Sequence, residues 1–504
     1  MTASEPLTGL DALFLFLESP RTPMHAASIA IFEGAPFKDG RGAVRIDALR
    51  REIGHRLDLV PKLRRRVRFP RFGQAMPVWV DDVDFDVNRH VRHVALPVPG
   101  TEAQLTELSA ALLSVPIDRA HPLWELWIVE GLTGGRVALV EKVHHALADG
   151  LASVELATVL LDFERDVPPP VSPASSWCPR PEPREATVVV SDIAHRGLRS
   201  VHAGRSAWAA IEHPARSARK ATDLAVALRT LATARSVAPR SSINGPVGQS
   251  RRVALIRQPL DQVRRVESRF GVTVNDVLLA AVAGGLRAQL TGRGEPVDGV
   301  TLQALIPVGL DSHEDHRLGN KVSAMLVRLP VGMASPLDRL MSVTRGMNRC
   351  KEHRQALAGE YITRLIDGWP RSALAGAARL VHHQPFVNLV ITNVPGPSVP
   401  LYCMGARMLE AFPIVPLAGN LSVGVAAFTY DGQLSVGLLA DGDRCPDVGV
   451  LADGIRASFV ELVAAATAGD ERVGADPEKP KGPCRVQGKK SLSSAARSEG
   501  AHTR

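Results

Sequence analysis

Apolar positions first fall into register over residues 44–58, where Ile46, Leu49, Ile53 and Leu57 share one face of a helix. Residues 102–115 repeat that spacing. The run RVALVEKVH (136–144) is short, nearly continuous and valine-rich, and predicts a buried strand. GLASVELATVLLDF (150–163) predicts a helix, with Asp149 placed to cap its first free N–H groups. The pattern breaks at 166–185, where DVPPPVSPASSWCPRPEPRE reads as a linker. Residues 186–235 are rich in Ala and Arg with helical periodicity, and read either as a crossover helix or as an amphipathic surface segment.

A second mixed unit begins near residue 251. RVALIRQPL (252–260) reads as a strand and NDVLLAAVAGGLRAQL (275–290) as a buried helix. TLQALIPV (301–308), KVSAMLVRLP (321–330) and FVNLVITNVPG (386–396) read as strands. So does LSVGVAAFTYDGQLSVGLLAD (421–441), folded on itself at the turn pair Asp431-Gly432. Residues 470–504 are polar and rich in Pro, Ser and Lys, which predicts a disordered basic tail. The pattern therefore predicts an α/β protein with mixed sheets. One domain covers 1–165, a Pro-rich and helical crossover covers 166–250, and a second domain covers 251–469.

Composition narrows the class. The 504 residues are 45% hydrophobic and 22% charged, which excludes wholesale disorder and a collagen-like fibre. No run of about 18 apolar residues occurs, so a spanning helix is not expected. The N-terminal apolar stretch carries Asp11 and Glu18 without a basic leader, and does not read as a secretory signal. The net charge of +8 is uneven: residues 184–240 carry +6 and residues 471–504 carry +4, leaving the rest slightly acidic. A near-neutral body with two basic segments argues against a nucleic-acid-binding fold and fits contact with anionic lipid or a phosphorylated ligand. Simple solubility is the bland reading. The five cysteines, Cys178, Cys350, Cys403, Cys445 and Cys484, show no metal or redox spacing and suggest a reducing compartment.

The strongest chemical constellation is VHHALADG, with His144, His145, Asp149 and Gly150. Side chains alternate along a strand, so the two histidines face opposite sides and one can reach a reaction channel. A neutral imidazole there can take a proton from a hydroxyl near pH 7. Asp149 can be a helix cap, a loop former or a catalytic carboxylate, and Gly150 permits a tight backbone. A metal site would need a third ligand at a familiar spacing, which is missing, so no metal is expected. The pair His382-His383 and the stretch HEDH (313–316) read as ordinary polar residues.

HHALADG fits the HHxxxDG signature of acyltransferases that include carrier-protein condensation domains and the bacterial wax ester synthase/diacylglycerol acyltransferases. Three further stretches resemble the second group. LTGLDALFLFLESPRTPMHAASIAIFEG (7–34) is similar to its opening, and IDRAHPLWELWIVEGL (117–132) carries its PLW element at Pro122, Leu123 and Trp124. TVNDVLLAAVAGGLR (273–287) carries its ND element at Asn275 and Asp276. LGNKVSAMLVRLP, NVPGP and GNLSVGVAAFTYDGQL follow in order, so the resemblance runs from about residue 7 to 465. It implies two chloramphenicol acetyltransferase-like domains with the active-site channel between them.

The resemblance implies that His145 is the general base of an acyl-CoA-dependent O-acyltransferase. The expected reaction makes triacylglycerol from diacylglycerol and long-chain acyl-CoA. Wax ester formation from fatty alcohols is the sibling activity. His144 and Asp149 are implied as support for His145, and Gly150, Asn275, Asp276 and Trp124 as candidates for substrate contact. Asn275 could equally cap the helix that starts there, and Trp124 could pack the domain wall. After IPV (306–308) the family often shows a Ser and then an Arg; this chain reads GLDSHEDHR, which leaves Arg317 as the available replacement. No cofactor is expected beyond acyl-CoA as substrate. The implied location is cytoplasmic, peripheral to the inner membrane face or to lipid droplets. Two other readings compete: a carrier-protein-dependent acyltransferase of the same fold, and a catalytically weak acyl-CoA- or lipid-droplet-binding protein.

Overall fold

The apolar N-terminal stretch folds as helix α1 (Gly9–Leu17). Thr8 caps it by accepting the Asp11 N–H at 3.1 Å, and the chain turns extended at Glu18. It is the first helix of a computed structural model that describes residues 5–71, 75–147, 160–167, 177–194, 237–309, 322–352, 369 and 371–474. Residues 1–466 form one compact unit; 467–504 belong to a second, described over 467–474, which are helical.

The strands are β1 (Glu5–Pro6), β2 (His25–Phe32), β3 (Arg65–Arg68), β4 (Val78–Asp81), β5 (Val91–Ala95), β6 (Trp124–Leu132), β7 (Arg136–His144) and β8 (Arg251–Pro259). They continue with β9 (Leu302–Gly309), β10 (Val322–Leu329), β11 (Leu389–Pro395), β12 (Tyr402–Cys403), β13 (Ala406–Ile414), β14 (Val423–Tyr430) and β15 (Gln433–Asp441). The helices after α1 are α2 (Ile46–Arg56), α3 (Val87–His90), α4 (Glu102–Ser114), α5 (Leu260–Phe270) and α6 (Val274–Gly292). Helices α7 (Pro336–Glu352), α8 (Arg371–Val381) and α9 (Val448–Gly474) follow.

Two six-stranded sheets carry the architecture, in the orders β12-β13-β2-β7-β6-β5 and β10-β9-β11-β14-β15-β8, beside a small β1-β4-β3 sheet. Both large sheets are mixed: β5 is parallel to β6, and β11 is parallel to β9 and β14, while the other pairs are antiparallel. The turn between β14 and β15 places Asp431 and Gly432 at φ of 44° and 80°, the backbone a two-residue hairpin needs.

The second sheet draws all its strands from residues 251–441, but the first does not keep to residues 1–165. Strand β13 pairs with β2 from Met408↔Phe32 to Ile414↔Ala27, with a bulge between Met408 and Glu410. The hydrophobic pattern hides this strand. Pro413 and the bulge both disturb the alternation, and a proline demotes a run that reads as a strand. Of the helix expected over 150–163, residues 150–159 lie outside the described residues; of the one expected over 186–235, residues 195–235 do.

The alternation along β7 explains its central place. Val137, Leu139 and Val143 enter one core with Phe32 and Trp124, while Ala138 and Val140 enter another with Ile29 and Phe412. That second core also takes Val253 and Leu255 from β8 and Leu439 from β15, so it joins the two sheets. The two sheets approach closely at Gly437. A Cβ built there would stand 2.1 Å from the Pro413 carbonyl oxygen. Replacing Gly437 with alanine should therefore destabilise the fold by about 1–3 kcal/mol, the usual cost of overpacking. Urea unfolding of the variant measures it, and an unchanged midpoint would show that the seam can open without cost.

The buried helix expected at 275–290 is α6, walled by Leu302, Val425 and Leu434 of the second sheet and by Leu451 and Phe459 of α9. Among the described residues, no single helix is long and apolar enough to cross a membrane.

Candidate active site

Strand β7 ends at His144, whose Cα pairs with that of His25 at the start of β2. The chain then turns tightly. The His144 N–H donates to the Leu123 carbonyl at 2.9 Å, and the Leu147 N–H to the His144 carbonyl at 2.8 Å. Between them, the His145 N–H donates to the Met24 carbonyl at 2.8 Å. The base candidate is thus fixed to the neighbouring chain by its main chain, which leaves its ring free.

The His145 ring stacks on Phe14 of α1, with centroids 4.4 Å apart and planes 17° from parallel. It is half-buried, and burial is the main reason its pKa falls to about 4. The neighbouring His144 lowers it further, its own backbone carbonyl works against this, and His25 adds the smallest lowering. The ring is therefore neutral at pH 7. A neutral imidazole keeps one ring nitrogen whose lone pair is able to take a proton.

His144 is buried and turns to a different set of neighbours. Its Nδ1 accepts the Ala146 N–H at 3.0 Å, so its proton sits on Nε2, 3.5 Å from Glu18 Oε1. His25 Nε2 lies 3.3 Å from the same oxygen, and Arg119 donates through Nε (2.8 Å) and Nη2 to Oε2. Burial alone would raise the Glu18 carboxyl, but His144, His25 and Arg119 outweigh it and hold it far below the usual carboxylate range. Burial likewise lowers His25 to about 4, against the pull of Glu18.

Lys142, two residues before His144, reaches the Leu112 and Val115 carbonyls at 3.1 and 2.8 Å and Glu125 at 3.3 Å. It thereby adds a donor to carbonyls at the end of α4 and ties that helix to the strand bearing the motif. Desolvation lowers its pKa.

The other expected site residues fall in different places. Asp149, Gly150, the HEDH stretch and Arg317 lie outside the described residues. Trp124 is 1% exposed, donates its indole N–H to the Leu63 carbonyl at 2.8 Å, and stacks on His90. Of its two expected uses, packing the domain wall and touching substrate, the structure shows the first. Asp276 is buried and forms a capping box with Thr273, so Thr273 and not Asn275 is the cap of α6. Asn275 sits half-buried in the first turn. Among the described residues, no hydrogen bond joins Trp124, Asn275 or Asp276 to His145.

Glu18, His25, Arg119 and Phe14 are the site residues that the sequence pattern did not bring forward. Glu18 stood out there only as a charge interrupting an apolar stretch. A lone carboxylate closing an apolar helix was the available signal, since such a group stays buried only with partners.

Residues 7–278 match the family model of the wax ester synthase/diacylglycerol acyltransferase catalytic domain, and residues 318–463 match the WS/DGAT C-terminal domain. The chain is 36% identical over 463 residues to a Mycobacterium tuberculosis protein named "Probable diacyglycerol O-acyltransferase tgs1", covering 91% of this chain and 96% of that one. Among solved structures it resembles the wax ester synthase/diacylglycerol acyltransferase from Marinobacter aquaeolei VT8. The TM-score is 0.64 at 26% identity, over 92% of this chain and all of that one. The first condensation domain of the CDA synthetase shares the fold, with a TM-score of 0.55 at 15% identity, over 92% of this chain and 97% of that one.

Proposed function

The chain belongs to the wax ester synthase/diacylglycerol acyltransferase family and is an acyltransferase, and from that premise we propose that it moves a long-chain acyl group from coenzyme A to the free hydroxyl of diacylglycerol. The observation that carries this reading is the His145 ring: neutral, half-buried, stacked on Phe14 and fixed by its main chain to Met24. His145 Nε2 takes the hydroxyl proton as the oxygen attacks the thioester carbonyl carbon. The tetrahedral intermediate collapses with cleavage of the C–S bond, and the imidazolium returns the proton to the leaving thiolate. Coenzyme A leaves as the thiol and triacylglycerol as the ester. Acyl-CoA is a substrate here, and the sequence of steps calls on no cofactor.

A fatty alcohol presents the same hydroxyl, so wax ester formation is the second activity of this site. The lipid acceptors and the basic stretches over 184–240 and 471–504 support a cytoplasmic enzyme held peripherally at the inner membrane face or on lipid droplets. The test is release of coenzyme A thiol from palmitoyl-CoA with diacylglycerol or hexadecanol in detergent micelles, with the lipid product identified by mass. Acceptor-dependent thiol release with triacylglycerol formed is the expected result. A folded protein that binds palmitoyl-CoA but acylates neither acceptor would overturn the reading in favour of a lipid-binding role.

A further inference from the structure

We propose that Glu18 is a positioning residue for the acyl transfer, a single buried carboxylate that clamps both sides of the His145 loop through Met24 and His144. The proposal rests on His145 being the base. On one side, the Met24 N–H donates to Glu18 Oε1 at 3.3 Å, while the Met24 carbonyl accepts the His145 N–H at 2.8 Å. One residue thus separates the carboxylate from the main chain of the base. On the other side, His144 holds the Ala146 N–H with Nδ1 and presents Nε2 to Glu18 at 3.5 Å. That distance is longer than a hydrogen bond, and Nε2 makes no hydrogen bond among the described residues, so on this side the carboxylate acts as a facing charge. The hydrogen-bonded link to the loop runs through Met24 to residue 145.

The two oxygens of Glu18 divide the work. Arg119 takes Oε2 with two nitrogens and anchors itself to the Leu15 carbonyl at 3.0 Å. Oε1 accepts the Met24 N–H and faces both histidines, of which His25 uses Nε2 to accept the Ile117 N–H at 3.2 Å. The Glu18 side chain is buried but that of Arg119 is 35% exposed, and such a partly exposed pair contributes little net stability. An oxygen turned from the arginine towards the catalytic loop is what a positioning role requires. When His145 takes the hydroxyl proton it becomes a cation, and a fixed carboxylate across the loop favours that state. The same contacts keep Nε2 aligned, where a displacement of about 1 Å costs on the order of 10²-fold in rate.

The experiment compares wild type, Glu18→Gln and Glu18→Asp as full chains, by kcat, KM for palmitoyl-CoA and the pH dependence of kcat. Glu18→Gln should lower kcat by about 10–10³-fold with KM within about threefold. It removes the negative charge that the proposal sets against the His145 cation, so the acid limb of the profile should move to lower pH. Glu18→Asp should recover part of kcat and return the limb towards wild type. A folded Glu18→Gln with wild-type kcat, or with kcat lost and the limb unmoved, overturns the proposal. Should the Gln variant not fold, nitrogen NMR of histidine-labelled wild type decides: a His144 proton on Nε2 supports the clamp, and one on Nδ1 overturns it. A dead His145→Ala beside an unaffected Glu18→Gln removes the positioning role alone, while an active His145→Ala removes the base.

Discussion

Replacing His145 with alanine should lower kcat by about 10²–10⁴-fold, the usual worth of general-base assistance, and leave the fold in place. The fold survives because the structural contact of residue 145 is its main-chain N–H on Met24, which alanine keeps. What goes is the ring on Phe14, and with it the nitrogen proposed to take the proton. The pH dependence separates this from a packing defect. Burial holds the free-enzyme pKa near 4, so the ring is in its basic form at every pH from about 5 upward. Wild-type kcat/KM should rise through pH 4 and stay flat to neutrality, and the residual rate of the variant should lack that limb. A base with so low a pKa takes protons weakly, which is why holding both substrates in line must supply much of the acceleration. Stopped assays of thiol release at pH 4, 5 and 7 measure both effects, with a thermal melt as the control for folding. Turnover within about tenfold of wild type in a folded His145→Ala would place the base elsewhere.

The sequence shows the strand that bears the histidine pair clearly and its support poorly. RVALVEKVH is observed as β7 with both ends as expected, because a buried central strand is written locally as a run of apolar residues. The Asp431-Gly432 hairpin and α6 were legible for the same reason: turn chemistry and helix patterning are short-range. The clamp beneath His145 was not legible. Arg119 and Glu18 are 101 residues apart, and His144 and Glu18 meet only when β2 pairs with β7. No local pattern records such a pairing. Strand β13 was hidden in a different way, since its pairing with β2 joins chain segments almost 400 residues apart and its own alternation is broken by a bulge and Pro413. Trp124 is the simpler case: packing in the domain wall was one of its two expected uses, and its indole N–H is satisfied by the Leu63 carbonyl while its ring stacks on His90.

Replacing Glu141 with glutamine should stabilise the protein at pH 8 and change little at pH 4.5. Glu141 lies on β7 opposite Ser28 of β2, on the face that carries Leu139 and Val143. Its recorded polar contact is the Ser28 hydroxyl, which donates to Oε2 at 3.3 Å. Burial dominates over that hydrogen bond and raises the carboxyl to about 7 from an ordinary value of 4.5. The folded state therefore holds this proton more tightly than the unfolded chain does. Below pH 4.5 both states are protonated and the group costs nothing. Between 4.5 and 7 the unfolded chain ionises while the folded one does not, so stability falls as pH rises, and it levels off above about 7. The full difference is about 3 kcal/mol at most, from about 1.4 kcal/mol for each pH unit between the two values. Glutamine keeps an oxygen for Ser28 and has no proton to lose, so the variant should escape the decline. Urea unfolding of both proteins across pH 4.5–8 isolates the effect, because every other titrating group is common to the pair. Parallel curves over that range would mean that water reaches Glu141 along the strand face and lets it ionise without penalty. Curves that diverge only above pH 4.5 would show that the strand presenting His145 is built around a carboxyl that stays protonated until close to neutrality.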